Sequence, residues 1–112
     1  MVERYRFGHV EVDGRAYDHD ITVLGNTVNA WWRDKGHRVS KADLEEVLAA
    51  RPETLVVGTG AFGMMRIPDE TRAYVDGLGI ELATAKTAKA VEHFNALQAA
   101  GRDAALAIHL TC

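Results

Sequence analysis

With 112 residues, a formal net charge of −3, 47% hydrophobic and 26% charged residues and a single cysteine, the chain has the composition of one ordinary globular domain spanning residues 1–112. Such a domain buries roughly 60–70% of the surface its unfolded chain exposes, so a core forms without metal or disulfide staples. The lone Cys112 excludes an internal disulfide framework and any CxxC zinc or redox motif. The acidic balance and the lack of clustered Lys and Arg argue against nucleic acid. The opening Met-Val-Glu-Arg-Tyr-Arg-Phe-Gly has no cationic region leading into an apolar run, and no stretch approaches the roughly 20 apolar residues of a membrane span. The expectation is a cytoplasmic protein with no cofactor, no metal and no membrane partner.

From Tyr5 to Trp32 the chain alternates short β-branched and aromatic segments with turn signals, the pattern of strands and hairpins. Asp13-Gly14, between His9-Val10-Glu11-Val12 and Arg15-Ala16-Tyr17, predicts a type I′ turn, because both central positions of that turn need positive φ. The apolar set changes parity across Gly8, which predicts a β-bulge there. Strands at Ile21 to Leu24 and Thr27 to Trp32 follow, joined at Gly25-Asn26. The adjacent Trp31 and Trp32 point to opposite faces of such a strand. One belongs to the core, and the other is either covered by a third layer or free for an interface.

After Ser40 the period becomes helical. Ser40 as N-cap, Asp43 three residues on, and Leu44, Val47 and Leu48 on one face predict a helix from Ser40 to Ala50, ended by Arg51-Pro52. Leu55-Val56-Val57 is a wholly apolar strand. Pro68 to Asp76 reads as a helix with Pro68 at its first position and Thr71, Tyr74, Val75 and Leu78 on one face, and Ile80 to Leu82 as a strand. Thr87 to Ala100 is the longest helix, with Ala90, Val91, Phe94 and Leu97 inward and Gly101 closing it. Ala104 to Leu110 is a continuous apolar strand suited to the middle of a sheet. Strand, helix, strand, helix, strand from Leu55 to Leu110 makes two overlapping βαβ units with parallel strands. The fold class is α/β, with N-terminal β-hairpins and a C-terminal βαβαβ.

Several landmarks run in order through most of the chain: Trp31-Trp32-Arg33 followed by His37, Leu55-Val56-Val57-Gly58-Thr59-Gly60, Thr87 to Ala90 with Asn95, and Ile108-His109-Leu110-Thr111-Cys112. In that order and spacing they resemble the small domains related to mitochondrial respiratory complex I assembly factor 3 and to the adipogenesis-associated protein, known as domain of unknown function 498. The resemblance implies a compact three-layer α/β sandwich with a mixed central sheet, and supplies no reaction. The mitochondrial relatives act as assembly factors, a role that would need a transit peptide the opening residues do not resemble.

Gly58-Thr59-Gly60-Ala61-Phe62-Gly63 matches G-x-G-x-x-G after a strand, with Glu81 near the distance of a ribose-binding acid. In a dinucleotide fold, however, the third glycine already lies in the helix, whereas here Met64-Met65-Arg66-Ile67 intervene before Pro68. The loop then reads either as a turn needing glycine for its backbone or as a cradle for a small anion, with Arg66 as counter-charge. Met64-Met65 beside Phe62 packs onto the sheet edge or forms an apolar lip. Arg33, Lys35, His37 and Arg38 read as a solvated basic turn, and Asp18-His19-Asp20 as a hydrated turn rather than a metal site. His109 reads as a hydrogen-bonded histidine buried at a strand end, and the alternative pairs it with Cys112 in catalysis.

If the three C-terminal strands are parallel, their carboxyl ends gather Gly58, Thr59, Gly60, Gly63, Arg66, Lys86 and Thr87 at one edge, with His109 and Cys112 adjacent. That edge is the candidate anion site. No complete acid, base and nucleophile set is evident. The expected function is therefore a protein-interaction or assembly module with an anion-binding edge and an unidentified protein partner. The alternative is a small-ligand-binding protein or enzyme built on the same edge.

Overall fold

The computed structural model describes residues 1–112, with eight strands and three α-helices. The first three strands, β1 (Val2–Arg6), β2 (His9–Val12) and β3 (Arg15–Tyr17), form an antiparallel sheet of their own. The β2–β3 turn has Asp13 at φ 48° and Gly14 at φ 84°, as a type I′ turn requires, and the Glu3 carboxylate accepts both turn N–H groups. Gly8, expected as a bulge, is instead a hairpin corner. Its φ of 75° lets the chain reverse between β1 and β2, with Arg6 opposite His9, and the parity change simply marks two strands.

The main sheet runs in the order β5-β4-β8-β6-β7, from β4 (Ile21–Leu24), β5 (Thr27–Ala30), β6 (Thr54–Gly58), β7 (Glu81–Ala85) and β8 (Ala104–Ile108). β6, β7 and β8 are parallel, and β4 joins β8 antiparallel, so the sheet is mixed as expected. Strand period two sorts the apolar residues between its faces. Val56, Leu106 and Ile108 face α3 (Thr87–Ala99) and the small sheet, packing against Ala90, Val91, Phe94, Val2, Val10 and Val12. Leu55, Val57, Ala105 and Ala107 face the opposite layer of α1 (Glu45–Ala49) and α2 (Asp69–Gly77), together with Trp31, Val39 and Met65. Asn95 of α3 clamps β1, accepting from Val2 N–H at 3.0 Å and donating to Val2 O at 2.7 Å.

Some boundaries move. The Ser40–Ala50 helix is a 3-10 turn at Ala42–Leu44 followed by the short α1. Ser40 and Asp43 still exchange reciprocal capping bonds, Ser40 N–H to Asp43 Oδ2 at 2.8 Å and Asp43 N–H to Ser40 Oγ at 3.4 Å. Pro68 stands just before α2 with ψ 153°, and Tyr74 is exposed rather than on the buried face. Two strands expected to run further stop at Ala30 and Ile108: Trp31 N–H makes a last backbone bond to Asp20 O and His109 N–H one to Gly58 O, after which Leu110 N–H turns to the Asp20 side chain. Phe94 is wholly buried among α3, the small sheet and the main sheet. Phe94→Ala should therefore cost about 3–5 kcal/mol, read as a lower denaturant midpoint at unchanged slope.

Candidate anion-binding groove and the buried Asp20 network

β6 leads into α2 on one face and β7 into α3 on the other, so a crevice would be expected between their carboxyl ends, where open α/β sheets place ligands. Here the protein fills it. Thr59 N–H donates to Ala85 O (2.9 Å), Gly60 N–H to Thr87 Oγ1 (2.9 Å), Ala61 N–H to Thr111 O (2.6 Å) and Gly63 N–H to Gly60 O (3.3 Å). The first N–H of α3, on Thr87, is bonded to Gly60 O. The expected cradle of glycine-loop N–H groups and helix start is thus already occupied by protein acceptors, which corrects the geometry proposed from the sequence.

The glycines serve close approach instead. A Cβ on Gly58 would lie 2.7 Å from Ile108 Cγ2 and 2.8 Å from Thr87 Oγ1, and one on Gly60, at φ 103°, would run into the backbone of Cys112. Lys86 lies along Gly63, its Cγ 3.3 Å from where a Cβ would stand. Thr87 is fully buried, and its hydroxyl donates to His109 O at 2.6 Å while accepting from Gly60, joining the β6 loop, α3 and the end of β8.

Beside this junction lies a charged cluster that sequence reasoning missed. Arg33, expected in a solvated turn, is 5% exposed and donates to Asp20 Oδ2 at 2.7 Å. His109 Nδ1 is 2.8 Å from the same oxygen, and Leu110 N–H donates to Oδ1 at 2.7 Å. With Nδ1–H donating to Asp20, the 3.1 Å approach of Arg33 NH2 to Nδ1 is two donors converging on one acceptor. Burial alone would raise the Asp20 carboxyl pKa, but the hydrogen bonds from His109, Leu110 and Arg33 outweigh it and hold it below the usual carboxylate range. Burial and the Asp20 charge push the Tyr5 phenol up, and its hydroxyl donates to Leu110 O at 2.9 Å.

Arg33 also donates to Gly36 O and lies over Trp31, 4.5 Å from the ring centre, while its Nε and NH1 are buried without acceptors. His109 is buried, as its sequence reading required, and engaged with Asp20. Cys112 is exposed.

The bracing of Gly36 leads to the open side. His37 stands edge-on to His109 at 5.6 Å and enters a groove of about 620 Å³ with Arg38, Thr59, Met65, Arg66, Ile67, Pro68, Asp69 and Arg72. The segments at His37–Val39 and Arg66 pair as a parallel bridge: Arg66 N–H donates to His37 O at 2.8 Å and Val39 N–H to Arg66 O at 2.9 Å, setting Arg38 beside Arg66. Arg72 Nε donates to Ile67 O at 3.2 Å, which fixes its guanidinium at the wall. The only carboxylates at the groove are Asp69 on its lining and Glu70, 3.9 Å from Arg38 in an exposed pair. Of the expected site residues, Arg66 and Thr59 lie here, while Gly58, Gly60, Gly63 and Thr87 belong to the closed crevice and Lys86 lies exposed beside Gly63.

The chain belongs to the family described as Protein of unknown function (DUF498/DUF598), whose profile matches residues 2–109. It is similar to a conserved hypothetical protein of Pyrococcus horikoshii (27% identity, TM-score 0.90, covering 100% of this chain and 99% of that one) and to the protein MT938 (28%, TM-score 0.86, 100% and 98%). A protein described as an outer membrane protein of Bartonella henselae shares the fold (24%, TM-score 0.84, 99% and 94%). In the present chain no helix is long and apolar enough to cross a membrane.

Asp20→Asn should destabilise the fold by about 3 kcal/mol at neutral pH, because it leaves the Arg33 charge buried without its partner. The folded-state pKa of Asp20 lies below its unfolded value, so its contribution is present above the unfolded pKa, about 3.9, and lost as pH falls through the folded value. Denaturant titrations of the two proteins should therefore converge as pH is lowered below about 4. A gap that persists unchanged in acid contradicts this assignment.

Proposed function

We propose that the protein is a binding module without chemistry of its own, and that it recognises an anionic group in the groove lined by His37, Arg38, Arg66 and Arg72. The observation that carries this reading is the placement of Arg38 and Arg66 side by side on bridged segments, with Arg72 on the adjoining helix. Like charges placed directly across paired segments are unfavourable, and an anion between them turns that cost into attraction. Arg66 has no carboxylate partner, and the Arg38–Glu70 pair is exposed and long, so it contributes little. Guanidinium groups suit carboxylate and phosphate oxygens because their donors form a planar fork. The anion-binding edge expected from the sequence is retained in kind and moved from the glycine loop to the arginines beside it.

An interaction or assembly role is favoured by a separate observation. Phe7 and Phe62 pair with ring centres 6.0 Å apart although 55% and 65% exposed, and Met64 is 57% exposed on the same loop as Phe62. Exposed apolar groups of this size gathered together suit a protein partner. A cytoplasmic setting is part of the proposal and accords with the free Cys112.

Titration with inorganic phosphate, sulfate and citrate at low ionic strength, followed by amide and side-chain NMR shifts, tests the groove. Shifts at His37, Arg66 and Arg72 that weaken with added salt support it. Arg66→Ala should weaken binding by about 1–3 kcal/mol, while changing stability in the absence of anion by no more than about 0.5 kcal/mol. Absence of any shift with all three anions overturns the reading.

A further inference from the structure

Resting on that anion-binding reading, we propose that the groove takes a small hydroxylated phosphate monoester, its phosphate held by Arg38, Arg66 and Arg72 and a hydroxyl of its carbon skeleton bonded to Asp69. A single guanidinium meets both oxygens of a planar carboxylate within one plane, whereas a phosphate presents three terminal oxygens that share no plane with one fork. Here three guanidiniums come from three places: the turn ending at Arg38, the loop at Arg66 and helix α2 at Arg72. Donors arriving from several directions match a tetrahedral group with three terminal oxygens.

The remaining lining defines the rest of the ligand. A groove of about 620 Å³ lies within the size range of small-molecule sites, about 300–1,000 Å³, and so has room for more than a bare anion. Only two of its nine lining residues are hydrophobic, which disfavours an acyl chain. Its one aromatic ring is the small imidazole of His37, edge-on to His109, and no Phe, Tyr or Trp lines the groove to stack a nucleobase. Asp69 is the decisive residue. A carboxylate in an arginine groove repels a bare anion, but it accepts hydrogen bonds from a ligand that carries hydroxyl donors beside its phosphate. The Thr59 hydroxyl has its proton committed to Ala85 O at 3.1 Å, and as a neutral oxygen it is a weaker acceptor for a ligand hydroxyl than the Asp69 carboxylate.

Calorimetric titration of the full chain at physiological ionic strength with glycerol 3-phosphate, inorganic phosphate, citrate and a phosphoserine peptide tests the assignment. Glycerol 3-phosphate should bind at least about ten-fold more tightly than inorganic phosphate. Asp69→Asn, at an exposed position, should abolish that preference while leaving inorganic phosphate bound equally or more tightly. Arg66→Ala should weaken both. Equal binding of phosphate and glycerol 3-phosphate, or citrate binding as tightly as the ester, overturns the monoester assignment and leaves the anion site standing. Preferential binding of the phosphopeptide overturns it in favour of a protein partner. If none of the four binds, the monoester assignment and the anion-binding reading fall together.

Discussion

The Asp20 carboxylate is the constraint on which the functional end of the molecule depends. It stands just before β4, yet it accepts hydrogen bonds from Arg33, from His109 and from the Leu110 N–H, so one side chain joins the entry of β4, the turn after β5 and the exit of β8. A buried guanidinium must have a counter-charge, and a buried carboxylate must have its lone pairs satisfied. Meeting both demands at one point leaves the three segments little freedom. Stacking over the Trp31 ring offsets part of the cost of burying the charge, while the in-plane Nε and NH1 donors stay without acceptors.

Two consequences follow in opposite directions from that cluster. Toward the sheet, capture of the Leu110 N–H takes it out of strand pairing, so β8 stops at Ile108 and the following residues pass over Gly60, where Thr111 O accepts from Ala61 and Cys112 O from Met64. The crevice at the carboxyl ends of the parallel strands is thereby closed with backbone, and the glycines of the loop are needed for contact with protein rather than with ligand. Toward solvent, the Arg33 bond to Gly36 O braces the turn whose next residues, His37 and Arg38, pair with Arg66. The arginine groove is therefore an outward extension of the buried network, joined to it by the edge-on contact of His37 and His109.

Much of the architecture was legible because it rests on local rules. The short continuous apolar runs at Leu55-Val56-Val57 and Ala104 to Ile108, the 3.6-residue period of α3, the Asp13-Gly14 turn and the Ser40–Asp43 capping pair are each specified by neighbours within a few residues. Where the local reading erred, a competing contact from elsewhere in the chain decided the matter. Gly8 turned a hairpin instead of bulging a strand, and β8 ended at Ile108 with the Leu110 N–H taken by the Asp20 side chain. The glycine loop shows the same limit: its pattern signals a need for positive φ and close approach, but does not say whether ligand or protein makes that approach.

The sequence by itself determined the class, the N-terminal hairpins, the parallel C-terminal strands and the burial of His109, because hydrophobic period and turn chemistry act over short separations. Only the tertiary structure decided the site. Asp20 and His109 are 89 positions apart, and Arg38 and Arg66 meet through a two-residue bridge between loops that have no periodic pattern. Arg33 and Arg38 look alike in sequence, two cations in one basic turn. One is buried and paired while the other is exposed, since the fate of a charge depends on which distant carboxylate the fold brings to it and on how much water is left around it.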